Sequence, residues 1–383
     1  MGPVTVADLT RSNASSPAAA TRSDGVAWMA NPFLHIGPDR LYNPLTDKTF
    51  LDSEPGFAEL RSVVGHQARA TDLAPERVAE LVAGGWLVDA ADDVSRQFLL
   101  KYVAIEANTN CNQSCYFCPV SVAPREAYQM PTALYRRILS EVGAYRKTIE
   151  AVFMINYNEP TADPRFVELV EIIKENGLPP ATLTNGTGLT PKRIDRLVEL
   201  GGLRFLSINL STMDAEKYRT DRGGDHLSLV LKNVDYASER DVAEQMDIVV
   251  LGTGDDAHKA DFEKVKTRYD GSKFNVKYFE VNDRAGYLTI GLRAPADRRR
   301  LAGCDYVGSR PLQHLHVTPQ GRAILCCQDY NETEVVGDLN TQSVDEVLAG
   351  PLLAQQRRYA YGIDEAPDRH ICRNCRYAIT RPA

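Results

Sequence analysis

The stretch that decides the fold is YVAIEANTNCNQSCYFC, residues 102–118. It begins as an apolar run typical of a buried strand and ends in three closely spaced cysteines, Cys111, Cys115 and Cys118. Three thiolates on one short loop can hold three irons of a four-iron cluster and leave the fourth iron open for chemistry. A structural zinc site, completed by a fourth ligand, is the alternative interpretation.

The chain beyond residue 101 alternates between strand-like and helical patterns. Six apolar runs predict strands, at residues 102–107, 151–155, 181–184, 204–210, 246–251 and 275–281. Helical patterns between them open after Asp163, after Thr190 and after Ser211, where Ser211 to Asp214 matches a capping box. This alternation predicts an α/β fold with a parallel sheet, and six units fall short of the eight in a closed barrel.

Composition narrows the classes of function. The net charge of −7 argues against a general surface for nucleic acid or anionic membrane, and no apolar stretch approaches the roughly 20 residues of a membrane span. Residues 1–24 have the composition of a disordered tail and lack a secretory signal, so we expect a cytoplasmic protein. Eight cysteines then fit metal-bound thiolates better than disulfides. The arginine-rich run 293–300 is a solvated loop or an anion contact.

The cysteine spacing C-x3-C-x2-C, with the aromatic Phe117 before the third cysteine, resembles the signature of radical S-adenosylmethionine (radical SAM) enzymes. The resemblance implies a partial (β/α)6 TIM-like barrel over residues 99–300 and a 4Fe–4S cluster on Cys111, Cys115 and Cys118. The resemblance also implies that the amino and carboxylate groups of S-adenosylmethionine chelate the open iron. An electron from a flavodoxin- or ferredoxin-type donor then cleaves S-adenosylmethionine to a 5′-deoxyadenosyl radical, which abstracts hydrogen from a C–H bond.

The resemblance also assigns residues that bind the cofactor. Asn158, Glu159 and Pro160 end the second predicted strand, where the family carries a Gly-Gly-Glu-Pro-like motif that binds the methionine amino group. Glu159 and Pro160 match that motif, whereas Tyr157 and Asn158 replace its glycines. Phe117 belongs to the same predicted set. Without the resemblance, this segment is only a strand end terminated by proline.

Further predicted site residues follow the later strands. Ser207 and Asn209 stand where related enzymes contact the ribose and carboxylate of the cofactor, with buried structural hydrogen bonds as the alternative. Arg222 is a candidate clamp for a carboxylate because a guanidinium binds bidentately. Residues 249–252 resemble the strand that packs on adenine. Asp283 is a candidate catalytic base for a substrate radical, with an exposed salt bridge as the alternative.

A second cysteine set occupies the C-terminal part, residues 301–383. Its spacing resembles the SPASM extension or its shorter twitch form, which implies one auxiliary 4Fe–4S cluster because the sequence stops soon after the last pair. The predicted ligands are Cys304, Cys326, Cys372 and Cys375. Cys327 is the spare or an alternative ligand: Cys326 fits the glycine spacing of the family pattern, and adjacent residues of an extended segment point in opposite directions, so one of the two should face away. A zinc site with four cysteine ligands is the alternative.

Residues 25–98 predict a small α+β unit. A helical pattern, the pair Gly84-Gly85 and a short strand make a winged-helix-like arrangement, which resembles the peptide-recognition domain of some peptide-modifying radical SAM enzymes. The predicted function is therefore an oxidative radical modification of a ribosomally made precursor peptide. The alternatives are a radical dehydrogenase, epimerase or other modifying enzyme for an aminocyclitol, sugar or nucleoside, and a non-catalytic zinc-binding protein.

Overall fold

The computed structural model describes residues 27–294 and 300–381. The predicted tail at 1–24 and most of the arginine-rich run lie outside these residues. The described chain begins with a small α+β unit, as predicted. Its elements are β1 (Trp28–Ala30), β2 (His35–Ile36), β3 (Arg40–Asn43), β4 (Lys48–Leu51), α1 (Phe57–Val64), α2 (Pro75–Ala83) and β5 (Leu87–Asp89).

The N-terminal unit contains two small antiparallel sheets around its own core. Strands β2, β3 and β4 form a meander, and β1 pairs with β5. Both helices bury one apolar face, so that Leu60 and Leu81 pack with Trp86. Within the described residues no strand pairs with the outer edge of β4. This unit therefore presents an open strand edge.

Six parallel strands follow, which agrees with the predicted partial barrel. The elements are β6 (Tyr102–Ile105), α3 (Pro119–Val122), α4 (Thr132–Val142), β7 (Ala151–Phe153), α5 (Phe166–Glu175), β8 (Pro180–Thr184), α6 (Pro191–Glu199), β9 (Leu203–Asn209), α7 (Ala215–Arg222), α8 (Leu227–Ser238), β10 (Ala243–Gly252), α9 (Asp256–Arg268) and β11 (Asn275–Glu280). Neighbours along the chain pair in parallel from β6 to β11. Helices connect them because a parallel pair needs a long crossover.

The C-terminal part continues this sheet instead of starting a separate one. Its elements are β12 (Arg300–Cys304), α10 (Arg310–Gln313), β13 (His314–Val317), β14 (Arg322–Ile324), β15 (Val335–Asp338), α11 (Val344–Leu348), α12 (Pro351–Ala360) and β16 (Ala378–Arg381). Strand β13 pairs in parallel with β6, and β14 and β15 extend the sheet to nine strands. Strand β12 pairs with β16. The two predicted parts thus share one sheet.

The sheet has a helix-covered face and an open face. Leu206, Ile208 and Leu210 of the β9 segment lie in the main core with the helices. Ser207 alternates with them, and its register partners Leu183 and Asp247 point the same way. Leu183 remains 37 % exposed although it lies in a central strand. Solvent therefore reaches this inner face at Leu183, whereas Ser207 and Asp247 beside it are buried.

Several helix starts follow local signals, with two corrections. The helix predicted to open directly after Asp163 begins at Phe166, with Arg165 at its cap position. Thr190 caps α6, and its hydroxyl accepts from the Arg193 amide, as its position before a proline predicts. The prediction that Ser211 begins α7 is wrong. The cap is Asp214, whose carboxylate accepts from the Lys217 amide. None of the helices in the two described ranges has the length and apolar character to cross a membrane.

The N-terminal unit packs against the C-terminal part. Phe33 meets the Tyr361 ring edge-on at 4.8 Å between ring centroids, and both lie in one apolar cluster with Leu312. His35 Nε2 and the Tyr361 hydroxyl lie 2.9 Å apart, and Gln313 Nε2 donates to the Pro44 carbonyl at 2.9 Å. Apolar contact and buried hydrogen bonds together fix the unit in place.

Candidate active site

The three-cysteine loop lies at the carboxyl end of β6 and rests on the end of α7. The Ser114 amide donates to the Arg222 carbonyl at 2.9 Å, and the Tyr116 amide donates to the Asp221 carbonyl at 3.1 Å. Gly223 ends α7 with φ of +68°, and a Cβ there would stand 2.4 Å from Ser114 Oγ. Only glycine combines that backbone conformation with so close an approach. The loop is therefore positioned by a distant helix.

Arg222 lies beneath this loop, with 2 % of its surface exposed. Its Nη1 donates to Cys115 Sγ at 3.6 Å, and its Nη2 donates to Asn209 Oδ1 at 2.8 Å and Ser211 Oγ at 2.6 Å. The guanidinium also stands 5.0 Å from the centre of the Phe117 ring. Both terminal nitrogens are engaged, which argues against the predicted carboxylate clamp. A buried cation beside Cys115 instead suits a loop of metal-bound thiolates.

Glu159 forms a cross-strand tie, a set of hydrogen bonds that joins the segment after β7 to the end of β8. Its carboxylate accepts from Thr161 N at 2.9 Å, Thr161 Oγ1 at 2.6 Å, Thr184 Oγ1 at 2.6 Å and Asn185 N at 2.7 Å. Burial raises the pKa of Glu159, although these donors favour the charged form. Because the carboxylate is fully engaged, any contact of this segment with a cofactor amino group falls to the main chain.

The neighbouring asparagines order the same turn. Asn158 Oδ1 accepts from the Asn156 amide at 3.2 Å, and Asn158 Nδ2 donates to the Met154 carbonyl at 3.3 Å. The Glu159 amide donates to the Asn110 carbonyl, which connects this turn to the cysteine loop at 2.8 Å. Asn156 Oδ1 is buried without a hydrogen-bond partner among the described residues. It is a candidate ligand contact that the sequence did not single out.

The remaining predicted residues lie on or near the open face. Asn209 is held by Arg222, while Phe117 packs with Leu251 at the end of β10. Asp283 follows β11, is 4 % exposed and has a buried Oδ1 without a hydrogen-bond partner in the described chain. It is thus a buried carboxyl and not the exposed salt bridge that was the alternative.

A buried ion pair that sequence reasoning missed lies beside the cysteine loop. Arg125 binds Glu106 through both terminal nitrogens, at 2.9 and 2.5 Å. Glu106 Oε1 also accepts from the Tyr157 amide at 2.9 Å. The Tyr157 hydroxyl donates to the Cys327 carbonyl, and its ring meets Tyr330 edge-on at 4.8 Å. Tyr157 therefore connects the strand-end turn to the second cysteine set.

The second cysteine set surrounds a cavity. Its lining includes the four predicted ligands Cys304, Cys326, Cys372 and Cys375, together with Tyr306, Arg310 and Gln328. Cys327 is absent from this lining, but it lies in a turn beyond β14 with its thiol beside that of Cys326, so the alternation of an extended strand does not account for its position. No group of three His, Cys, Asp or Glu side chains in residues 27–294 and 300–381 is arranged to hold a single metal ion.

The chemistry of this cavity fits an anionic centre. Arg310 Nε donates to the Tyr306 carbonyl at 3.0 Å, and Nη1 approaches the rings of His314 and His316 at 3.2 and 3.3 Å. Burial lowers the pKa of both histidines well below the usual value, so they are neutral. Arg310 has no carboxylate partner among the described residues. Thiolate-bound metal would compensate its buried charge.

Comparisons with known proteins agree with this geometry. Residues 105–264 match the radical SAM superfamily, and residues 304–376 match SPASM, an iron–sulfur cluster-binding domain. The S-adenosyl-L-methionine-dependent 2-deoxy-scyllo-inosamine dehydrogenase of Niallia circulans is 32 % identical over 112 residues, 28 % of this chain and 44 % of that protein. A tungsten-containing aldehyde ferredoxin oxidoreductase cofactor-modifying protein of Pyrococcus furiosus is 30 % identical over 102 residues, 27 % and 28 % of the two chains. The chain thus spans less than half of these curated relatives.

Solved structures show the same fold over a longer range. SuiB of Streptococcus suis, bound to precursor peptide SuiA, aligns with a TM-score of 0.54 at 13 % identity and covers 86 % of this chain and 90 % of its own. The enzyme anSMEcpe with bound AdoMet and the Cp18Cys peptide aligns with a TM-score of 0.50 at 14 % identity over 73 % and 88 %. At such identities the likeness concerns the fold alone. The chain therefore contains a radical SAM domain at residues 105–264 and a SPASM-type iron–sulfur domain at residues 304–376.

Proposed function

We propose that this protein is a radical SAM oxidoreductase that modifies a C–H bond of its substrate. The observation that carries the proposal is the three-cysteine loop, which Arg222 supports at the carboxyl end of β6 beside an open sheet face. When bound to Cys111, Cys115 and Cys118, a 4Fe–4S cluster supplies the electron that cleaves S-adenosylmethionine to 5′-deoxyadenosyl radical and methionine.

The protein's own residues orient this chemistry. Arg222 holds Cys115 and Asn209 in fixed positions, and Glu159 fixes the ends of β7 and β8 against each other. The main chain of the Asn158–Glu159 turn and the side chains of Ser207 and Asn209 are the proposed contacts of S-adenosylmethionine. Preorganised contacts of this kind align a reactive carbon with the substrate hydrogen.

The second cavity supports a net oxidation. Cys304, Cys326, Cys372 and Cys375 would hold an auxiliary 4Fe–4S cluster with every iron ligated, which provides an electron acceptor and no open iron. The substrate would lose a hydrogen atom to the deoxyadenosyl radical, and this acceptor would take the electron left on the substrate carbon. Asp283, buried after β11, is the proposed acceptor of the accompanying proton.

A precursor peptide is the proposed substrate. No strand pairs with the outer edge of β4 within the described chain, although Glu54 already bonds the Leu51 amide and carbonyl there, and the Leu51 side chain is 45 % exposed. An extended peptide can add to such an edge through main-chain hydrogen bonds. Because Phe33 of the N-terminal unit packs on Tyr361 of the C-terminal part, a peptide bound to this unit would lie close to the C-terminal domain. The shared fold with SuiB supports this proposal.

A small-molecule substrate is the second candidate. It is favoured by the Niallia circulans relative, a named 2-deoxy-scyllo-inosamine dehydrogenase, whose identity of 32 % covers 112 residues. The two candidates differ in what they require of β4. A peptide needs that strand edge, whereas a small molecule that enters the open sheet face does not.

A binding experiment separates the candidates. The reconstituted enzyme is titrated with deuterated candidate substrates. These are precursor peptides encoded by neighbouring genes and aminocyclitols made by enzymes that neighbouring genes encode. Transfer of deuterium from each candidate into 5′-deoxyadenosine is then measured. Leu51→Asp should weaken peptide binding about tenfold, or 1.4 kcal/mol. Leu352→Asp, a change at a similarly exposed leucine on α12, is the matched control. Turnover of a small molecule with no effect of Leu51→Asp would favour the second candidate.

A further inference from the structure

Gln328 is an unexplained polar residue in the wall of the second cavity. Its side chain lines the cavity, and the residue is 2 % exposed. Both its amide nitrogen and its amide oxygen are buried without a hydrogen-bond partner in the part of the chain that the structure describes. A buried amide left unsatisfied costs roughly 1–3 kcal/mol. A leucine would fill the same space without this penalty, so the amide calls for a partner in the cavity.

The chemistry of the cavity indicates what that partner is. Its lining includes the sulfurs of Cys304, Cys326, Cys372 and Cys375, which as metal-bound thiolates carry no proton and can only accept hydrogen bonds. The sulfides and thiolates of an iron–sulfur cluster have the same preference. Only the amide nitrogen of Gln328 can satisfy such acceptors, whereas the amide oxygen gains nothing from them.

The loop that carries Gln328 is rigidly held. The main-chain N–H of Gln328 donates to Cys326 Sγ at 3.4 Å, so the backbone of this residue already bonds to a predicted ligand. Asp329 then accepts from the Thr333 amide at 2.9 Å and the Glu334 amide at 2.7 Å, which closes the turn. A side chain on such a turn loses little further entropy when it binds the cavity's occupant.

We infer that Gln328 donates its side-chain N–H to a sulfur of the auxiliary cluster and thereby raises the reduction potential of that cluster. The inference rests on the proposed function, since it requires an iron–sulfur cluster in this cavity. Reduction adds negative charge to the cluster sulfurs, so a hydrogen-bond donor stabilises the reduced state more than the oxidised state. Gln328 would thus raise the reduction potential of the auxiliary cluster and make it a better electron acceptor for the substrate radical.

The test is a redox titration of the anaerobically reconstituted enzyme, followed by electron paramagnetic resonance. Gln328→Leu should shift the oxidised-to-reduced equilibrium of one cluster about tenfold, which lowers its midpoint potential by about 59 mV for one electron. Gln328→Glu, which replaces the donor with a charge, should lower it further. Gln355→Leu, a change on α12 outside the cavity lining, should leave both potentials unchanged. An unchanged potential in Gln328→Leu with full iron content overturns the inference.

A second measurement needs no variant. In wild-type enzyme labelled with ¹⁵N in the glutamine side-chain amides, pulsed electron paramagnetic resonance should detect a nitrogen coupled to the auxiliary cluster, and absence of that coupling overturns the inference. Failure of the proposed function gives a different result, because a cavity filled by zinc yields no second paramagnetic cluster even in the wild type.

Discussion

His35 gives a quantitative test of how the N-terminal unit joins the C-terminal part. Its half-buried ring lies 5.8 Å from the Tyr361 ring centre and 2.9 Å from that residue's hydroxyl. Burial lowers the pKa of His35 to about 4, and the charge of Asp305 opposes this shift only in part. The unfolded chain, with a histidine pKa of about 6.5, therefore binds the proton between pH 6.5 and 4 while the folded protein does not. Stability is full above pH 6.5 and falls as the pH drops below it.

The size of the effect follows from linkage. Over the whole interval the loss is about 3 kcal/mol, and between pH 7.5 and 5.5 it is about 1.3 kcal/mol. The free energy of unfolding is measured with denaturant at both pH values for the wild type and for His35→Gln, which leaves the other six of the seven histidines in place. The variant should lose less stability on acidification by this amount. An equal loss in both proteins, or a His35 pKa near 6.5 by nuclear magnetic resonance, would refute the reasoning.

Three further substitutions probe the two cysteine sites. Cys372→Ala should halve the iron content from about eight per chain and abolish substrate oxidation, yet retain cleavage of S-adenosylmethionine. If the variant keeps both its full iron content and substrate oxidation, the auxiliary-cluster proposal is wrong. Arg222→Met removes the cation beside the first cluster, so iron loading and 5′-deoxyadenosine formation should both fall, unlike in Arg219→Met, a change at an arginine whose side chain is 58 % exposed. Glu159→Gln turns an amide N–H toward a buried donor and should cost about 2 kcal/mol of stability by denaturant unfolding. The exposed Glu168→Gln should cost little, and equal losses in the two variants would contradict the cross-strand tie.

The sequence predicts the strands and the cysteine sets well because both are local patterns. The six barrel strands depend on apolar runs between helix-start signals, and each run contains most of the observed strand. The position of Cys327 could not be predicted in this way, because Cys326 and Cys327 follow β14 in a turn and their thiols lie side by side. Likewise, the pairing of β13 with β6 joins His314 to Tyr102, 212 positions earlier in the chain, and no local pattern predicts such a pairing.

The roles of long polar side chains were harder to predict, because they depend on tertiary contacts. The Arg222 guanidinium could bind a carboxylate with two hydrogen bonds. In the folded protein it donates instead to Cys115, Asn209 and Ser211. Glu106 could have been singled out, since a carboxylate directly after a buried strand requires a buried partner. Gln328 gives no comparable signal in the sequence, and only its unpartnered amide inside a cavity draws attention to it.

Anaerobic reconstitution tests the central claim most directly. The wild-type protein is loaded with iron and sulfide, reduced with dithionite in the presence of S-adenosylmethionine, and compared with a variant in which Cys111, Cys115 and Cys118 are all replaced by alanine. The account predicts about eight irons per wild-type chain and formation of 5′-deoxyadenosine, with about four irons and no 5′-deoxyadenosine in the variant. Stoichiometric zinc without iron, and no cleavage of S-adenosylmethionine by the wild type, would contradict it.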